Sequence, residues 1–209
     1  TTDADHYIRI YTTETARHNG KWDESKYRLE ASGAYLLRVY EAYTRIEGLQ
    51  IYNTNTTALS QDGIRATPSN NGEEITISHC IIRGNNPTGD AYGRGIYESQ
   101  ATLKAYNNII YDWGQGNANA RGMYFYGVFT NAYIYNNTIH NCYYGLNRAY
   151  GTVIAKNNIT QDCTDGFYGD FDSSSDYNIS DISDDAPGSN SKTCTVSFID
   201  EANDDFHLA

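Results

Sequence analysis

The stretch "YNNTIHNCYYGL" spans residues 135–146, and "KNNITQDCTDGF" spans residues 156–167. Each carries two asparagines, a cysteine five positions after the second of them, a glycine three further on, and then a large apolar residue. The offset is 21 residues at every matched position: Asn136 to Asn157, Asn137 to Asn158, Cys142 to Cys163 and Gly145 to Gly166. A unit this short cannot bury a core alone, so the repetition implies copies that stack on one another.

Followed in both directions, the residue after the Asn pair or its equivalent falls at Leu49, Ile81, Ile109, Thr138, Ile159 and Ile179, spaced 32, 28, 29, 21 and 20. A second marker, Gly plus a large apolar residue, keeps step at Gly63-Ile64, Gly95-Ile96, Gly122-Met123, Gly145-Leu146 and Gly166-Phe167. Short alternating runs precede the Asn pairs: "EITIS" (74–78), "ATLKAY" (101–106), "AYIYN" (132–136) and "TVIAK" (152–156). Each repeat therefore holds about three short strands parted by Gly or Asn turns, with the length variation in loops such as "RGNNPTGDAYGR" (83–94). A leucine-rich repeat needs an LxxLxL line, and "LNRAYGTVIAK" (146–156) has room only for strand and turn.

The predicted fold is all-β: a right-handed parallel β-helix of about six to seven coils, forming one domain over residues 1–209. Equivalent residues of successive coils would stack about 4.8 Å apart, giving a rod of roughly 30 Å. Leu49, Ile81, Ile109, Ile159 and Ile179 would form one inward stack, and Ile64, Ile96, Met123, Leu146 and Phe167 another. The Asn pairs suit a tight turn, where Asn tolerates the left-handed conformation and side-chain amides can bond from coil to coil. Cys142 and Cys163 then share a column as small fillers, a geometry awkward for a disulfide. The sequons at Asn136, Asn158 and Asn178 fall in or beside the ladder and are poor glycosylation sites, unlike the one at Asn55. His79 and His140 read as turn residues, and Trp22 and Trp113 as covers for the ends or rim of the solenoid.

Composition agrees with strands and turns: 20 Tyr and 18 Gly against three Pro and one Met. A net charge of -11 argues against a nucleic-acid partner and against anionic membranes. No apolar run is long enough for membrane insertion. The four cysteines show no zinc-type spacing. The chain opens on "TTDADHYIRIY", a strand already in progress, so a fragment of a longer extracellular or cell-surface protein is expected.

The phrases "YTRIEGLQIYN" (43–53) and "SFIDEANDDFHLA" (197–209) resemble the repeat starts and the closing segment of right-handed parallel β-helix proteins of the pectate-lyase-like superfamily. The resemblance runs from about Tyr35 to the end of the chain and implies fold more than activity, since lyases, hydrolases, epimerases, phage tailspikes and adhesins share it. It also implies a substrate cleft along one parallel sheet. Two residues past each Gly of the second marker lie Arg65, Tyr97, Tyr124, Asn147 and Tyr168; just before it lie Asp62, Arg94, Arg121, Tyr144 and Asp165. Glu98, Arg148 and Asp170 follow close behind. Arginines and tyrosines thus gather on one stripe of an acidic protein. Tyrosine rings suit the C–H face of a sugar, and guanidinium suits a uronate carboxylate.

The expectation is a carbohydrate-directed module that binds, and in one version cleaves, a polysaccharide as a lyase or glycoside hydrolase. The alternative is a structural or adhesive β-helix of a surface protein or phage tail. Lyase chemistry calls for a basic Arg, here Arg121 or Arg148, and hydrolysis for a carboxylate pair, here Glu98 with Asp62 or Asp170. The RxPxxR pattern of the pectate lyases and the D-P-H motif of the alginate epimerases are absent. No cofactor is expected, with calcium as the alternative: Asp170, Asp172, Ser174, Asp176 and Asp181 fall at calcium-loop positions one, three, five, seven and twelve, but the loop lacks the glycine at six and has Asp for the Glu at twelve.

Overall fold

Each coil lays down three short strands, and each strand pairs in parallel with its counterpart one coil away, as the computed structural model shows for residues 2–55, 60–86, 92–128 and 130–209. The first sheet contains Ile8–Tyr11, Thr44–Glu47, Glu73–Ser78, Ala101–Tyr106, Asn131–Tyr135 and Thr152–Lys156. The second runs from Arg28–Ala31 through Gln50–Asn53, Ile81–Arg83, Ile109–Trp113, Thr138–Cys142 and Ile159–Gln161 to the two-residue strands Ile179–Ser180 and Lys192–Thr193. The third holds Tyr35–Val39, Ser60–Ala66, Tyr92–Glu98, Arg121–Phe125, Tyr144–Arg148 and Asp165–Tyr168. The protein is a parallel β-helix.

The interior consists of aligned columns. Leu37, Ile64, Ile96, Met123, Leu146 and Phe167 are in register along the third sheet and, from Ile64 on, all buried. The first sheet adds Ile46, Ile77, Ala105, Ile134 and Ala155. The expected stack on the second sheet is displaced by one residue. Gln50, Ile81, Ile109, Thr138, Ile159 and Ile179 are the residues in register, and they face outward; the inward column is Ile51, Ile82, Ile110, Ile139, Thr160 and Ser180. A strand alternates its faces residue by residue, so a slip of one turns the whole set over. Leu49 sits one position earlier, level with the ladder.

That ladder joins the first and second sheets. Asn107, Asn136 and Asn157 each have a φ of 56°, the left-handed value that turns the chain, and the second Asn of each pair points inward. The side-chain Nδ2 of Asn108 donates to Oδ1 of Asn137, Asn137 to Asn158, and Asn158 to Asn178, each at 3.0 Å. The same Oδ1 atoms accept the backbone N–H of the preceding coil, again at 3.0 Å. Stacked coils thereby satisfy the buried turn groups that no single coil could. Asn158 and Asn178 are fully buried, whereas Asn136 is exposed on the turn; the Asn55 sequon runs into residues outside the described ones.

Trp113, expected at the rim, is fully buried. Glycine columns make room for it: a Cβ on Gly84 would lie 2.8 Å from the indole Cδ2, and one on Gly95 would lie 3.1 Å from Nε1. Trp22 instead covers the outside of the second sheet, in a cluster with Ile81, Tyr111 and Phe206. Phe206 belongs to an antiparallel hairpin, Phe198–Asp200 and Asp205–Leu208, made by "SFIDEANDDFHLA". His79 takes a turn conformation, with φ 54°, but His140 lies inside the strand Thr138–Cys142. All four cysteines are free, and Cys80, Cys142 and Cys163 are buried. Of the carboxylates at calcium-loop spacing, Asp172 accepts from the Ser174 amide, Asp176 from Asn190, and Asp181 from the Asp162 amide, whereas Asp170 is fully exposed.

Candidate functional site

The Gly column of the third sheet decides which side chains reach its outer face. Gly95, Gly122 and Gly145 point inward, where a Cβ would meet the glycine carbonyl of the next coil at 2.6, 2.7 and 2.5 Å. The residues one before and two after are thereby left facing out. Two outer columns result. One reads Tyr35, Asp62, Arg94, Arg121, Tyr144, Asp165, and the other Arg38, Arg65, Tyr97, Tyr124, Asn147, Tyr168.

Charge and rings interlock on this face. Arg65 lies over Tyr35 at 4.6 Å and over Tyr97 at 4.4 Å, and Arg94 lies over Tyr97 at 4.4 Å. Both guanidiniums bond the buried Asp62 carboxylate, Arg94 Nε at 2.6 Å and an Arg65 terminal nitrogen at 3.1 Å. Burial pushes the Asp62 carboxyl up, and the two guanidiniums oppose it. Arg121 is different. It lies 4.4 Å over Tyr124, and its Nε donates to Asn147 Oδ1 at 2.7 Å. No carboxylate stands within ion-pair distance of it among the described residues. Burial pulls its guanidinium below the usual value. Arg121 is thus a half-buried cation with neutral partners, held in the middle of an aromatic surface.

Further tyrosines extend the patch beyond the two columns. Tyr126 stacks on Tyr97 with centroids 6.3 Å apart and planes at 29°, and meets Tyr124 at 5.6 Å and Tyr150 at 5.4 Å. Tyr168, half exposed, packs on Tyr144 at 4.4 Å. Tyr126, Tyr150, Tyr35 and Arg38 were not among the sequence candidates. The first two sit on turns, four and five residues past a Gly rather than two. The other two belong to a coil in which Leu36 occupies the Gly position, so the marker fails there.

Glu98 and Arg148 stand apart from this surface. They occupy the column of Ala66 and Phe125, one residue later, which faces inward. Arg148 Nε donates to the Gly151 carbonyl at 3.0 Å, and the fully exposed Asp170 approaches Arg148 at only 3.9 Å. Glu98 is 1% exposed; its carboxylate accepts the Ala101 amide at 2.9 Å and the Gly127 amide at 3.2 Å. Burial pushes its pKa up to about 7. An acid whose folded pKa is raised favours the folded state most below its unfolded pKa, and that advantage is lost as pH rises to about 7. The stability of the wild type is therefore expected to fall relative to Glu98→Gln as pH rises from about 4.5 to 7, by ~3 kcal/mol at most. Denaturant titrations of both proteins across that window measure the difference; parallel profiles contradict it.

At the far end of the stripe, Asp165 is pushed up to about 6 by burial and by the Asp185 carboxylate beside it. Asp185 in turn accepts the Phe167 amide at 3.1 Å and the Ser180 hydroxyl at 2.5 Å. A second aromatic patch lies on the first sheet around Tyr106, Tyr133 and Tyr135, in a shallow depression beside Lys104. Its lysine is committed to Glu74 at 2.6 Å. No described helix is long and apolar enough to cross a membrane.

No protein-family model matches the chain, and no similar protein was found among curated sequences or solved structures.

Proposed function

We propose that this β-helix is a carbohydrate-directed module of the pectate-lyase-like type, working outside the cell, which binds a polysaccharide along the outer face of its third sheet. The observation that carries the reading is Arg121, a guanidinium without a carboxylate partner among the described residues, set against Tyr124 and flanked by Tyr97, Tyr126 and Tyr144. The exposed or half-exposed rings of Tyr124, Tyr126, Tyr144, Tyr150 and Tyr168 offer several sugar-stacking places in a row, while Tyr97 is buried under the Arg65 and Arg94 guanidiniums and braces the surface from within. A guanidinium whose described partners are all neutral favours an acidic polymer, such as a uronan, over a neutral one.

The test is affinity electrophoresis of the full chain in gels containing uronic-acid or neutral polysaccharides, with solution assays for unsaturated uronate and for new reducing ends. Retardation by an acidic polymer is expected, with Tyr124→Ala and Arg121→Ala each weakening it about tenfold, a loss of ~1.4 kcal/mol. Unsaturated product would add β-elimination, and reducing ends alone would add hydrolysis, with the Asp165 and Asp185 carboxylates the first to mutate. Absence of retardation on every polymer would overturn the proposal and favour a structural or adhesive β-helix.

A further inference from the structure

The closing hairpin does more than cover apolar surface, because it carries a carboxylate to the one histidine on the strand beneath. His140 projects from the outer face of the second sheet, and its ring is set by Phe206 at 5.1 Å and Phe198 at 6.1 Å. Its Nε2 meets Asp162 Oδ2 at 2.9 Å and Glu201 Oε2 at 3.7 Å. The three ligand atoms all lie within 4.8 Å of one another. They come from three separate places: the strand Thr138–Cys142, the turn after Ile159–Gln161, and the turn Glu201–Asn203 of the hairpin.

We infer that His140, Asp162 and Glu201 form a binding site for one divalent transition-metal ion, which ties the hairpin to the second sheet. A ring nitrogen has at most one hydrogen to give, yet two carboxylate oxygens converge on it. Among the described residues His140 is the sole ion-pair partner of either acid. Arg83, in the same outward column as His140 two strands away, is already engaged, facing Asp112 at 3.7 Å and Asp204 at 3.1 Å. Two carboxylate oxygens and an imidazole nitrogen match a metal held by one nitrogen and two oxygens. In tetrahedral coordination by such ligands, donor atoms lie ~3.3 Å apart; the two nitrogen–oxygen separations, 2.9 and 3.7 Å, bracket that value, and the two carboxylate oxygens lie within 4.8 Å of each other. An imidazole donor favours zinc and its neighbours over calcium or magnesium, which prefer all-oxygen shells.

Outer partners hold the ligands in place. Asp162 takes a left-handed turn with φ 53°, and its amide donates to Asp181 Oδ2 at 2.9 Å. Its carbonyl accepts the Gln115 side chain at 2.8 Å. The protein's net charge of -11 adds a general attraction for cations.

The test is calorimetric titration of the chelator-treated full chain with zinc chloride, with calcium chloride as comparison, alongside hydrogen exchange over residues 196–208. Saturable binding of zinc, tighter than calcium, is expected, with slower exchange at the Phe198 and Phe206 amides. Glu201→Gln and His140→Gln are each expected to weaken that site about tenfold or more and to abolish the slowing. Because His140 also packs against the hairpin, Glu201→Gln, which alters only an exposed side chain, is the decisive variant. The His6 and His207 pairs, each facing a single aspartate, remain as internal controls for weak surface binding. No zinc binding, or the same affinity and exchange in Glu201→Gln as in the wild type, overturns the proposal.

Discussion

Asn137→Ala is expected to cost about 4 kcal/mol of stability, and Asn137→Asp more. Asn137 stands in the middle of the ladder, and its side chain serves both neighbours. Its Nδ2 donates to Asn158 Oδ1 and to the carbonyls of Ala105 and Tyr135, at 3.0, 3.0 and 3.1 Å. Its Oδ1 accepts both the Asn108 amide and the Asn108 side chain, at 3.0 Å each. Truncation leaves several of those groups buried without partners, at about 1–3 kcal/mol apiece before relaxation. Aspartate keeps the acceptor but turns an oxygen toward Asn158 Oδ1, where a donor is needed, and places a charge at a position 1% exposed. Urea denaturation with unchanged slope and a lowered midpoint measures the loss; a midpoint within error of the wild type would mean that the ladder contributes nothing.

Gly122→Val is expected to destabilise by ~3 kcal/mol or more. A Cβ there would lie 2.7 Å from the Gly145 carbonyl oxygen and 2.7 Å from the Ile139 methyl, before the two valine methyls are added. Backbone on one side and a packed core residue on the other leave no room for either to yield, so the second and third sheets would be forced apart. Gly116→Ala is the control, since nothing lies within 4 Å of its Cβ direction, and it should stay within about 0.5 kcal/mol of the wild type. Equal effects at both positions, read from denaturation midpoints, would contradict the steric role assigned to the Gly column.

Both effects concern features written plainly in the chain, because stacking puts identical side chains on identical sites. The Asn pair and the Gly-apolar pair recur for reasons that act once per coil, an amide ladder in one case and a close backbone approach in the other. The third-sheet column from Ile64 to Phe167 was legible for that reason. Marker position alone does not say which face a strand residue takes. Ile81 and Ile109 are apolar because the hairpin and Trp22 pack on the outside of the second sheet, and nothing local distinguishes that cover from a core. Trp113 was misplaced because the space it fills is made by Gly84 and Gly95, far from it in sequence.

For the candidate site, the fixed positions one before and two after each marker Gly placed Arg65, Arg94, Tyr97, Arg121, Tyr124, Asn147 and Tyr168 on one face. Strand alternation, applied one residue further, accounts for the inward burial of Glu98. Tyr126 and Tyr150 escaped because turn residues follow no strand period. His140 read as a turn residue, since the acid that reaches it from the hairpin, Glu201, lies 61 positions on in the chain.

The most direct measurement is a backbone and tyrosine-ring NMR titration of the full chain with an acidic oligosaccharide drawn from whichever polymer retards it in gels, or from a uronan if none does. The account expects shift changes confined to the outer face of the third sheet, largest at Arg121, Tyr124, Tyr126 and Tyr150, and absent from the patch around Tyr106, Tyr133 and Tyr135. Changes centred on that other patch, or no change at saturating oligosaccharide, would contradict it.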